Sequence, residues 1–129
     1  MNHATTIIGL AQNPSSCSYN DANKAQFKKS GMHLMKKLAV LVGGQTSDVR
    51  YNAGGTAVSG EVTLHTECIY VSLSMGCVSD LGYLVRTCNG KKDYSGDRNT
   101  WFQWDTLKDL NQVAGMINRM INANTILAN

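Results

Sequence analysis

Apolar and polar positions alternate through Val58-Ser59-Gly60-Glu61-Val62-Thr63-Leu64-His65, and again through Ile69-Tyr70-Val71-Ser72-Leu73-Ser74. Alternation at period two marks a strand with one face on a core and the other toward solvent. The connection between the two runs is short, so they read as an antiparallel hairpin. With Thr66-Glu67 as a two-residue turn, Leu64 faces Ile69, Val62 faces Val71, Thr63 faces Tyr70, Glu61 faces Ser72 and His65 faces Cys68. Thr-Glu is poor chemistry for such a turn, which favours Asn-Gly or Asp-Gly. A four-residue loop that keeps the same faces is equally acceptable. In either register Val58, Val62, Leu64, Ile69, Val71 and Leu73 point to the core, because a slip by one residue would put them in water. Ser59, Glu61, Thr63, His65, Tyr70 and Ser72 remain on the outer face.

Upstream the spacing becomes helical. Phe27, Leu34, Leu38 and Leu41 share one face of a helix that opens near Asn20 or Asp21 and stops at Gly43-Gly44. Gly31 inside it costs about 1 kcal/mol relative to Ala and marks close packing, a kink or the true start. Asp48 to Tyr51 is a further strand, followed by a turn at Asn52-Ala53-Gly54-Gly55. A loop from Gly76 to Gly82 leads to a strand from Tyr83 to Cys88, and a polar loop follows from Asn89 to Thr100. Trp101, Phe102 and Trp104 are expected to plug the end of the core, whereas an exposed Trp there would mark an interface. A last helix from about Asp105 to Ile121 turns Leu107, Leu110, Val113 or Ala114, Ile117, and Met120 or Ile121 inward. Residues 1–19, broken by Pro14-Ser15-Ser16, read as a tail or irregular lead-in, with a short strand through Thr5 to Leu10 as the other option.

These elements predict an α+β fold in the order α-β-β-β-β-α, a four-stranded antiparallel meander with N- and C-terminal helices on one face. It occupies residues 20–122 as one domain, with a C-terminal tail at 123–129.

Composition narrows the class. A chain of 129 residues with 43% hydrophobic and 16% charged residues can bury one core and is not disordered away from its ends. No apolar run approaches the roughly 20 residues of a membrane span, and Ile7, Ile8 and Leu10 lack the basic flank of a signal peptide. A cytoplasmic protein with no membrane contact is expected. Its four cysteines (Cys17, Cys68, Cys77, Cys88) are then expected to be reduced thiols. The net charge of +3 is too mild to announce a nucleic-acid binder by itself.

The run from Arg86 to Asn99 carries the densest chemistry. Arg86, Lys91, Lys92 and Arg98 supply four cations around Tyr94 in a loop after a strand, and Asn99 adds a hydrogen-bonding group. Cations beside an aromatic ring suit phosphate contact with base stacking. Asp93 and Asp97 offset half that charge, so an ordered loop tied by Asp-Arg pairs is the competing reading. The outer face bearing Glu61, His65 and Tyr70 is either a solvated sheet face or a docking surface for a ligand, a partner or a second copy of the chain. A basic side of the first helix, with Lys29, His33, Lys36 and Lys37 and with Lys24 and Lys28 nearby, reads as a solvated face or a site for an acidic partner or nucleic acid.

Catalytic readings are weaker. Glu61 and His65 invite comparison with the acid–base pair of a small ribonuclease, with Arg86 on phosphate. Four residues along one strand separate the pair by about 13 Å, too far to flank one phosphate. Cys77 and Cys88 have no His close in sequence. Two ligands such as His65 and Cys68 do not make a zinc site, and no phosphate-loop or dinucleotide fingerprint is present. Neither cofactor nor metal is expected.

The string from Asn52 to His65 and the string from Arg86 to Gly96 resemble uncharacterised small proteins of bacteriophages and other bacterial mobile elements, including gene-cassette-type reading frames. The resemblance covers residues 27–99. It implies a bacterial cytosolic setting and no particular activity. The expected function is a non-enzymatic binding or interaction module that uses the Arg86 to Asn99 loop and the adjoining sheet face, with a homodimer, a nucleic acid or a protein as partner. The alternative is a small hydrolase or nuclease using His65, Arg86 and Tyr94. A structural or host-interaction factor is a third option.

Overall fold

The hairpin forms with the longer loop. His65 pairs with Tyr70, Leu64 with Val71, Thr63 with Ser72, Val62 with Leu73 and Glu61 with Ser74. The two-residue turn that would have set Leu64 against Ile69 and His65 against Cys68 is therefore not used. Thr66 supplies the reason. Its N–H donates to the Ile69 carbonyl at 2.9 Å, and its Oγ1 accepts the N–H groups of Cys68 and Ile69 at 3.1 Å each. A buried threonine thus closes a loop that contains no glycine. Both registers present the same faces, so the predicted core side chains among the described residues (Val62, Leu64, Ile69, Val71 and Leu73) are fully buried.

The computed structural model describes residues 2–12, 21–52, 60–74, 82–91, 93 and 99–128. In chain order the elements are α1 (His3–Gln12), α2 (Asp21–Leu41), β1 (Val49–Asn52), β2 (Glu61–His65), β3 (Ile69–Ser74), β4 (Tyr83–Thr87), β5 (Thr100–Phe102) and α3 (Leu110–Ala128). Short 3-10 turns at Thr46–Asp48 and Trp104–Lys108 precede β1 and α3. The strands lie in the order β1-β2-β3-β4-β5, every neighbour antiparallel. The α+β class and the meander are as expected, but the described sheet has five strands where four were predicted. The added strand lies where Thr100-Trp101-Phe102 pair with Val85-Leu84-Tyr83. Three residues are too short for alternation to reveal a strand.

Residues 3–12 form a helix rather than a lead-in or a strand. Asn2 caps it, its Oδ1 accepting the Thr5 N–H at 2.8 Å. Ala4, Ile7 and Ala11 fall on its buried side. Two of those three residues are alanines, which leaves a faint apolar stripe in the sequence. The helix packs on α2 and on the Trp104–Lys108 turn.

Helix α2 crosses β1 and β2 and buries Phe27, Leu34, Met35 and Leu38. Leu41, expected on that face, is 40% exposed at its last turn. Gly31 lets the helix approach the sheet: a Cβ placed there would lie 2.9 Å from Val62 Cγ2. Close packing is therefore its role, and the helix runs unbroken through it.

The last helix starts at Leu110, later than expected, where the Asp109 carboxylate accepts the Gln112 N–H. It continues to Ala128 instead of fraying after Ile121. Its buried positions Val113, Ala114 and Ile117 match the predicted stripe. At the far edge of the core, Tyr83 stacks edgewise on Phe102 and tilts against Trp104, and shares a 2.6 Å hydrogen bond with the Thr106 hydroxyl. Burial pushes the Tyr83 hydroxyl up to about 12. Among the described residues no helix is long and apolar enough to cross a membrane.

Candidate functional site

With the helices on one side, strand pairing arranges the other side of the sheet into rows. One row crosses three strands as His65, Tyr70 and Arg86. The next holds Arg50, Thr63, Ser72, Leu84 and Trp101, and a third holds Asn52, Glu61 and Ser74.

The first row is a stack of polar and aromatic groups. The His65 ring meets the Tyr70 ring edge-on, with centroids 5.1 Å apart and planes at 89°. The Arg86 guanidinium carbon lies 4.5 Å from the centre of the same ring. Attraction between a cation and the negative face of an aromatic ring holds such a pair. Tyr70 lies between His65 and Arg86 in the strand order and its ring contacts both. In the third row Glu61 accepts the Ser72 and Ser74 hydroxyls at 3.0 and 3.5 Å.

The start of the Arg86 to Asn99 loop is bound to the sheet. Lys91 makes a 2.8 Å ion pair with Asp48, whose side chain is only 6% exposed. Asp48 also accepts the Gln45 N–H at 3.0 Å. Its carboxyl is held below the ordinary value, first by the Lys91 hydrogen bond and then by the Gln45 N–H, against an opposing push from burial. Gly90 sits at φ +128, a conformation L side chains rarely adopt, and its carbonyl lies 3.2 Å from His65 Nε2. A carbonyl only accepts, so His65 donates this bond from Nε2. Asp93 Oδ2 accepts the Asn89 N–H at 3.0 Å, which folds the loop further.

These contacts revise the candidate list. Lys91 and His65 hold the described start of the loop, and the partner of Lys91 is Asp48, not a loop aspartate. Glu61, Tyr70 and Arg86 share the outer face. Asn99 is exposed and directly precedes β5. Lys92, Tyr94 and Arg98 lie outside the described residues.

Two residues the sequence reading left out join the face. Arg50 is exposed on β1, opposite Thr63. Trp101, expected in the core, is 46% exposed beside Leu84, while its neighbours Phe102 and Trp104 are buried. Alternation within β5 puts Trp101 and Phe102 on opposite faces. A cleft of about 530 Å³ runs along this face between β1, β2 and Lys91, lined by Asp48, Arg50, Glu61, His65 and Tyr70 among others.

The basic side of α2 divides. Lys28 lies 5.3 Å from the centre of the Tyr51 ring, and His33 stacks on His3 of α1 with centroids 4.1 Å apart. The Cys68 and Cys88 thiols are free. Cys88 is buried, its thiol donating to the Thr66 carbonyl at 3.5 Å, and burial pushes it up. Among the described residues no three His, Cys, Asp or Glu side chains are grouped to hold a metal ion.

Comparison with known proteins finds no matching family model, curated protein or solved structure.

Proposed function

We propose that the protein is a non-enzymatic binding module that takes single-stranded nucleic acid on the open face of its sheet. The observation that carries this reading is the exposed Trp101 on the same face as the Arg86–Tyr70 stack. Flat rings offer stacking surface to unpaired bases, and cations spaced among them meet the phosphates. Arg50 and Arg86 supply that charge from the outer strand and the centre, and Asn99, just ahead of β5, can read base edges. The net charge of +3 supports modest, salt-sensitive affinity, not tight binding to duplex. A bacteriophage or mobile-element setting, as the sequence resemblance implies, belongs to the same proposal.

A hydrolase using His65, Arg86 and Tyr94 has less in its favour. Tyr70 lies between the first two in the strand order, and Tyr94 lies outside the described residues.

Fluorescence anisotropy with labelled mixed-sequence single-stranded DNA and RNA, at low and moderate salt, tests the reading. Binding that weakens with salt and falls several-fold in Trp101→Ala and in Arg86→Met is expected. No binding at low salt would sink it.

A further inference from the structure

The basic side of α2 has a use that the sheet face does not absorb. His33, Lys36, Lys37, Val40 and Leu41 recur at helical spacing on one side of α2. Across from them lie the start of α1, with Asn2 and His3, and the junction into α3 from Leu107 to Asn111. Together these elements line an open-sided cleft of about 860 Å³. That volume is within the range of small-molecule sites, about 300–1,000 Å³.

The lining is segregated by chemistry. Lys36 and Lys37 bring two cations; a third, Lys108, lies 3.9 Å from the Asp105 carboxylate, and the Asp109 carboxylate is engaged at the N-terminus of α3. Leu34 and Leu107 form buried apolar wall, and Val40 and Leu41 extend it outward at 64% and 40% exposure. Large aliphatic side chains this exposed beside lysines are uncovered apolar surface next to positive charge.

The histidine pair sharpens the cation end. His3 and His33 are stacked 4.1 Å apart, and His3 Nδ1 lies 3.0 Å from the Ser30 hydroxyl. His3 is held below its ordinary value by burial first, and then by His33, Lys29 and Lys37. An anion seated among these groups would relieve that repulsion.

We infer that the cleft between α1, α2 and the start of α3 binds a free amphipathic anion, an aliphatic chain bearing one carboxylate or phosphate head. The head sits against Lys36, Lys37 and the His3–His33 pair, and the chain lies along Leu34, Val40, Leu41 and Leu107. Charge complementarity sets the sign of the head, and the aliphatic wall sets the nature of the tail.

Decanoate below its micelle concentration is the probe, read by the ring-proton NMR signals of the three histidines of the 129-residue chain. Saturable shifts of His3 and His33 with His65 unmoved are expected. Affinity should be at least ten-fold weaker for decanol, which lacks the charge. It should fall as much in the exposed double variant Lys36→Glu/Lys37→Glu, whose fold is checked by circular dichroism. The inference is overturned by equal binding of decanol, by an unchanged double variant, or by the absence of saturable shifts. Sedimentation with phosphatidylglycerol vesicles separates the sources of such a head. Binding to vesicles without binding to free decanoate would assign the cleft to a lipid surface and overturn the proposal as stated.

Discussion

The Arg86 guanidinium rests on the Tyr70 ring at 4.5 Å, one strand away on the open face of the sheet. Both side chains are half-buried, so the contact is partly shielded from water. Cation–π pairs of this kind contribute roughly 0.5–2 kcal/mol. A double-mutant cycle with Arg86→Met and Tyr70→Leu, read by urea unfolding, should give a coupling of that size. A coupling near zero would show the stack to be geometric coincidence.

The close approach at Gly31 reverses a usual expectation. Replacing a mid-helix glycine by alanine ordinarily adds up to about 1 kcal/mol of stability. Here the new methyl would meet Val62 Cγ2 at 2.9 Å, and Val62 is fully buried in the central hairpin. Gly31→Ala should therefore destabilise, by about 1–3 kcal/mol. Combining it with Val62→Ala should recover part of the loss, because the two changes share one space. Thermal unfolding of the four variants in that cycle decides the matter.

Among the large side chains of α1, Ile7 is the one fully buried, beside alanines at 4 and 11, while Ile8 and Leu10 pack partly against the core. Ile7→Ala should cost about 2–5 kcal/mol, the range for a large-to-small change in a packed core. Ile8→Ala, at a half-buried position of the same helix, should cost clearly less. Equal and small effects in denaturant titrations would mean that α1 adds little to the fold.

The Asp48–Lys91 pair predicts a pH dependence with a definite sign. Asp48 titrates below its ordinary value of 3.8 in the folded protein, so folding favours its charged form. Its contribution is complete above that ordinary value and is lost as pH falls through the folded value. Lys91 is half exposed, so solvent screening keeps the contribution small. Asp48→Asn should be less stable than the parent at pH 7. The gap should close below pH 3.8. A gap that persists unchanged in acid would remove the ion pair as its cause.

Alternation and helical spacing by themselves determined the hairpin with its core residues, and the two long helices with most of their inward stripes, Leu41 at the end of α2 being an exception. Period two leaves one arrangement in which Val62, Leu64, Val71 and Leu73 all escape water, and it holds in either loop register. Sequence also placed Glu61 and Tyr70 on the outer face, since position along a strand fixes the face, whereas Arg86 reads there as part of the loop. What alternation could not give was which strands are neighbours, and so the row of His65, Tyr70 and Arg86 waited for the sheet order. Helix α1 and strand β5 were illegible because alanines and a three-residue run leave little periodic signal, while their stability comes from packing on elements far away in the chain. The roles of Lys91 and His65 likewise depend on contacts 43 and 25 residues distant, with Asp48 and Gly90. Burial pattern is local information, whereas the partner that satisfies a charge or a ring is chosen only when the tertiary structure closes.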